Sequence, residues 1–160
     1  MARIHVPIRL RWNDLDAYGH VNNAAMLTLL EESRISVFWG SGDLRVEGVN
    51  DAEASIADTR DADTITLVAR QAVEYLAPIP YLREPLDVQL WIGRLGGASL
   101  DVCYEVCSPD GAKPQTVFAK AATTIVLVDA ASGRPRRITE REREAWASHI
   151  DTPVAFTKRS

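Results

Sequence analysis

The segment AAMLTLLEESRISVFWG, residues 24–40, decides how the rest of the chain can fold. Its interior holds neither Pro nor Gly, Asn22 or Asn23 can cap its start, and Gly40 stands where a helix would stop. The apolar residues Met26, Leu27, Leu29, Leu30, Ile35, Val37, Phe38 and Trp39 are spread around much of the cylinder and not confined to one stripe. A helix of that kind is expected to be buried on most sides.

What surrounds it has a different period. Residues 4–12 alternate as a short strand, and 64–77, 86–95, 98–107 and 116–129 are four longer runs rich in β-branched residues. Gly96-Gly97 reads as a two-residue hairpin, and Pro109-Asp110-Gly111 as a turn whose glycine takes a positive φ. Short turns make antiparallel neighbours. One mostly apolar helix among such strands is buried only if the sheet curls around it, so an α+β architecture is expected, with the helix in the concave face of an antiparallel sheet. The segment from Gly40 to Asp63, with seven acidic residues against Arg45 and Arg60, is a connection. It reads either as a flap over a pocket or as a solvated loop. The run ITEREREAWASH, residues 138–149, opens on Thr139-Glu140 and predicts a C-terminal surface helix over 139–149.

Composition narrows the function. A chain of 160 residues with 46% hydrophobic residues fits one domain, residues 1–160. The net charge of -4 leaves no cationic excess for a phosphate backbone, so nucleic-acid partners are not expected. The opening MARIHVPIRLRW has neither the apolar block of a signal peptide nor a membrane span, and a soluble, cytoplasmic protein is expected. Cys103 and Cys107 lie four residues apart in one predicted strand, about 13 Å between Cα atoms at the usual rise, too far for a disulfide. They read as packed thiols, with no metal site.

The chemistry is concentrated in RWNDLDAYGHVNN, residues 11–23. Asp14 and Asp16 can make Asx turns, Gly19 a kink, and Asn22 and Asn23 helix caps. Together they place a carboxylate beside a helix N-terminus, whose unpaired amides and partial positive charge suit a developing oxyanion. Thioester hydrolysis needs those two parts: donors on the carbonyl oxygen, and a base or nucleophile near the carbonyl carbon.

The pattern R-x-x-D-x-D-x-x-G-H-V-N-N, followed by Glu31 and Arg34 as E-x-x-R, resembles the hotdog-fold acyl-CoA thioesterases of the 4-hydroxybenzoyl-CoA type. VEYLAPI (73–79) and GRLGGASL (93–100) are similar to segments of that family. The resemblance implies a hotdog fold and hydrolysis of an acyl-CoA thioester, with Asp16 as general base or nucleophile and Asp14 in support. It puts the oxyanion donor at the Asn23 amide, lets Gly19 bring the chain close, and matches Glu31 to an acidic position that orients water or the aspartate. Glu31 pairing with Arg34 is the other reading of that residue. His20, Asn22 and Met26 fall at substrate-binding positions, Met26 where many relatives carry Tyr; a structural role is the other reading of His20. No cofactor is implied beyond the coenzyme A of the substrate, and the implied assembly is a homodimer or homotetramer with sites between subunits. Arg94 and the group Arg134, Arg136 and Arg137 are candidates for the coenzyme A phosphates, against a reading as solvated surface charge. The segment also resembles D-x-N-x-H-V-N-N of acyl-carrier-protein thioesterases, so a carrier-protein substrate stays open, as does a non-catalytic acyl-CoA-binding domain. No G-x-S-x-G elbow occurs, which leaves a serine mechanism without support.

Overall fold

A computed structural model describes residues 3–38 and 63–159. Trp39, Gly40 and the connection through residue 62 lie outside the described residues. The elements are β1 (Ile4–Ile8), α1 (Asn23–Phe38), β2 (Thr64–Tyr75), β3 (Leu86–Leu95), β4 (Ser99–Cys107), β5 (Val117–Asp129) and α2 (Glu140–Trp146). The strands form one antiparallel sheet in the order β1-β3-β4-β5-β2. The first strand is shorter than the expected 4–12, because the chain leaves it and makes a 3-10 turn at Trp12–Asp14.

Alternation sorts the two faces. Val88, Leu90 and Ile92 on β3 stand beside Val102, Tyr104 and Val106 on β4, and these in turn beside Ala119 and Ala121 on β5. All are buried on the concave side. Against them α1 lays Met26, Leu29, Leu30, Val37 and Phe38, which join the same core cluster. The expectation that this helix is buried on most sides needs correction: Asn23, Ala24, Leu27, Thr28, Glu31 and Glu32 are exposed. One sheet layer covers one side of a cylinder, and nothing among the described residues covers the other.

The turns follow local chemistry with one exception. Gly111 has φ +87, as the Pro-Asp-Gly turn requires. Gly96 and Gly97 do not adopt positive φ, so the primed two-residue hairpin does not form. Gly96 donates instead to the Ser99 carbonyl at 2.7 Å, and a Cβ there would lie 3.0 Å from Ser99 Oγ. Close approach, not handedness, calls for the glycine.

On the convex face the C-terminal residues form a strap. Ile150 bridges Ile92, the Asp151 amide donates to the Ile92 carbonyl, and Trp91 Nε1 donates to the Thr152 carbonyl at 2.8 Å. Farther along, the Thr157 amide and hydroxyl both donate to the Glu74 carboxylate at 2.8 Å, on the far edge strand. Gly93, in the register shift between Ile92 and Arg94, makes room for the strap: a Cβ there would stand 2.6 Å from Cys103 Sγ and 3.1 Å from Pro153 Cα. Helix α2 starts at Thr139, whose hydroxyl accepts from the Glu142 amide while the Glu142 carboxylate accepts from the Thr139 amide. The reciprocal partner is thus Glu142, not Glu140. The surface helix expected over 139–149 is α helix only to Trp146, and Trp146 and His149 are buried, so one side is seated on the sheet.

Two stability outcomes follow. Gly93→Ala should lower stability by about 1–3 kcal/mol through overpacking, read from the denaturant midpoint. Cys103→Ala in the same chain should recover part of the loss by removing the nearest atom. Burial pushes the Glu142 carboxyl up, but hydrogen bonds from Arg136 and Thr139 outweigh it and hold the group below its ordinary value. A lowered folded value contributes stability above the unfolded pKa of 4.5 and loses it as pH falls through the folded value. Glu142→Gln should therefore cost about 1 kcal/mol at neutral pH, and its melting curve should converge on that of the parent below the carboxylate range.

Candidate active site

The loop from Leu15 to Val21 folds back on itself as a miniature hairpin. Leu15 bridges Val21, the Asp16 amide donates to the His20 carbonyl at 2.7 Å, and the Gly19 amide donates to the Asp16 carbonyl at 3.1 Å. The turn requires φ +77 at Gly19, a conformation cheap only for glycine. Within it Asp16 Oδ1 accepts from the Tyr18 amide at 2.9 Å and the His20 amide at 3.1 Å. The carboxylate is partly buried, and its Oδ2 accepts no hydrogen bond from the described residues. The side chain is thus held by one oxygen and open at the other.

Asp14 has a different environment. It is 1% exposed, with Oδ2 accepting from the Arg11 amide at 2.7 Å and Oδ1 from the Arg11 guanidinium at 3.0 Å. Its carbonyl accepts from the Asn22 amide at 2.8 Å, which ties the turn to the start of α1. Asn22 is the helix cap, since its Oδ1 accepts from the Ala24 amide at 2.8 Å. Between them the Asn23 amide has no partner among the described residues, so the first donor of the helix is uncommitted.

The remaining wall comes from the segment after β2. The Val21 amide donates to the Ile79 carbonyl, His20 bridges Pro80, and the Tyr75 hydroxyl donates to the Asn23 carbonyl at 3.1 Å. Tyr75 was read only as part of VEYLAPI, because nothing local links it to a helix 52 residues away. Trp12, 75% exposed, stacks on Tyr81 with ring centroids 4.5 Å apart beside the same loop.

Other expected site residues are dispersed. Met26 is in the core at 2% exposure, and His20 is partly buried in the hairpin. Glu31, exposed, lies eight residues past Asn23, about 12 Å along the helix. No ion pair joins Glu31 to Arg34, whose guanidinium donates to Tyr104 Oη at 3.1 Å. Arg94 and Arg134 are at the opposite end of the sheet from Asp16. Arg94 faces Asp101 across β4, at 3.2 Å, and the Arg134 carbonyl accepts from the Asp129 amide where β5 ends, whereas the Asp16 loop adjoins the Tyr75 end. Arg136 holds Glu142 through both guanidinium nitrogens at 2.7 and 2.9 Å and also donates to Thr64, so it is a structural pin.

Comparisons with known proteins bear on the family and the fold. Residues 10–146 match the thioesterase-like superfamily. The chain belongs to that family. It is 27% identical over 138 residues to YsmA, an uncharacterised protein of Bacillus subtilis, covering 86% of this chain and 80% of that one. Protein PA5185 of Pseudomonas aeruginosa superposes with a TM-score of 0.71 at 24% identity, over 94% of each chain. A Thermus thermophilus thioesterase, solved with coenzyme A and Zn, superposes at 0.64 with 29% identity, over 92% of this chain and 93% of that one. The sheet curled about one helix is the hotdog fold, and membership makes thioester hydrolysis the reaction in kind. Among the described residues no helix is long and apolar enough to cross a membrane.

Both cysteines are free and buried. Burial pushes the Cys107 thiol up to about 12, with Asp87 and Glu105 adding to the effect, and burial raises Cys103 as well. Neither supplies a thiolate near neutral pH. Iodoacetamide at pH 8 should leave both unmodified and turnover unchanged, with labelling appearing only in denaturant, as mass spectrometry would report.

Proposed function

We propose that the chain hydrolyses an acyl-CoA thioester to the free acid and coenzyme A, with Asp16 as general base or nucleophile and the Asn23 amide polarising the carbonyl. The observation that carries this reading is the Asp16 carboxylate. It is fixed through Oδ1 by two backbone amides, open at Oδ2, and carried on the loop that leads into a helix whose first amide is uncommitted. In one course Oδ2 takes a proton from water as the water oxygen attacks the carbonyl carbon, and that proton leaves with the coenzyme A sulfur. In the other, Oδ2 attacks directly, the thiolate departs, and water then cleaves the anhydride and restores the carboxylate. Either way, charge grows on the carbonyl oxygen at the positive end of α1. The Thermus thermophilus relative solved with coenzyme A supports the coenzyme A half of the substrate.

The working unit in this reading is a homodimer or homotetramer. β2 stands at the sheet edge with Ile65, Leu67 and Val68 each about half exposed, next to the uncovered side of α1. A second copy would cover both. Arg94 and Arg134, remote from Asp16 of their own chain, would then meet coenzyme A phosphates only at a site completed by the other subunit.

Asp16→Asn keeps the Oδ1 acceptor for Tyr18 and His20, so the variant should fold and melt like the parent. Its kcat on an acyl-CoA panel, followed by thiol release, should fall by roughly 10²–10⁴-fold. Turnover near the parental rate would reject Asp16.

A further inference from the structure

Arg34 presents an unsolved charge. It lies on α1 at 5% exposure, and among the described residues no carboxylate pairs with it. Within the described residues its guanidinium donates to Tyr104 Oη at 3.1 Å. Tyr104 is fully buried on β4. That contact ties the helix to β4 and fixes the guanidinium through one of its five donors. Arg34 also lines a cavity of about 230 Å³, with Glu31, Ile35, Thr66, Leu67, Val68 and Ile125.

A buried cation is stable when an anion meets it, and a guanidinium fork fits a carboxylate through two parallel hydrogen bonds. Among the described residues the candidate is Glu31, one turn away and on the cavity wall, yet it is exposed and makes no ion pair with Arg34. The cavity is smaller than the ~300–1,000 Å³ of pockets that enclose a whole drug-sized ligand. It therefore suits the end of a ligand. The apolar side chains of Ile35, Val68 and Ile125 beside the guanidinium suit a methylene chain that ends in a charge.

We infer that this cavity is a carboxylate subsite, with Arg34 as its cation, and that the preferred acyl group is a dicarboxylic acid esterified to the thiol at one end and free at the other. The inference rests on the thioesterase reading and names its substrate class. Tyr104 is the positioning residue for the guanidinium.

The test compares matched acyl-CoA pairs of equal carbon number, one methyl-terminated and one carboxyl-terminated, over a series of chain lengths at constant ionic strength. For the parent, kcat/KM should favour the carboxyl-terminated member by about tenfold or more at the best length. In Arg34→Met, which keeps the volume and removes the charge, that ratio should fall to near unity. Tyr104→Phe keeps the cation but frees its orientation, and should lower the ratio severalfold through KM more than kcat. If Arg34→Met does not fold, the Tyr104→Phe comparison decides alone. A parental preference for the methyl-terminated member, or a ratio unchanged in the variants, overturns the inference. Free dicarboxylates supply a readout without catalysis: they should raise the melting temperature of the parent more than monocarboxylates of equal length do, and lose that advantage in the variants. Absence of turnover on every acyl-CoA would fell the thioesterase reading alone, while the melting series would still judge the pocket.

Discussion

The seat of α1 against the sheet governs the rest of the molecule. Met26, Leu29, Leu30, Val37 and Phe38 must leave water, and the concave faces of β1, β3, β4 and β5 are where they can go. Burying each such side chain contributes about 1.5–3 kcal/mol, more than any single surface contact, so the helix axis is set by packing before polar groups are placed. Its N-terminus then projects beyond the sheet toward the Asp16 hairpin, and its middle turns carry Arg34 into the concavity. Active-site candidate and buried cation are two stations along one rod.

Packing alone would not bring Asp16 to that rod. The link is Asp14, which is buried, accepts two hydrogen bonds from Arg11 and holds the Asn22 amide with its own carbonyl. Two aspartates two residues apart thus divide the work. Asp14 spends both side-chain oxygens and its carbonyl on shape, while Asp16 spends one oxygen on its own turn and leaves the other open. The division follows from environment, since the residue type is the same.

The strands and the helix were legible because period-2 alternation and a Pro- and Gly-free apolar run are signals each segment carries by itself. Glycine at position 111 was legible for the same reason, as was the crowding of Asp14, Asp16, Gly19 and Asn22 at the helix start, where turn and cap chemistry act over a few residues. What failed to show was whatever depends on distant partners. The uncovered side of α1 cannot be told from a buried one by apolar content, because Leu27 reads the same whether one layer or two will meet it. Where Arg94 and Arg134 stand relative to Asp16 was not legible either, because only strand register puts them at the other end of the sheet. Arg136 looked free until α2 folded back to offer Glu142. Tyr75 reaches the helix only because β2 ends where α1 begins.

The strap over the convex face bears on how the molecule is made. Thr157 and Glu74 are 83 residues apart in sequence, and β2 waits for β5 before it has a strand neighbour among the described residues. Contacts of such long separation form late, after loop closure has been met entropically. During synthesis the edge strand leaves the ribosome well before the segments that will pair with it and fasten it. A nascent chain of this protein therefore passes through an interval in which β2 has no strand neighbour, and pairing with β5 ends that interval on one edge only.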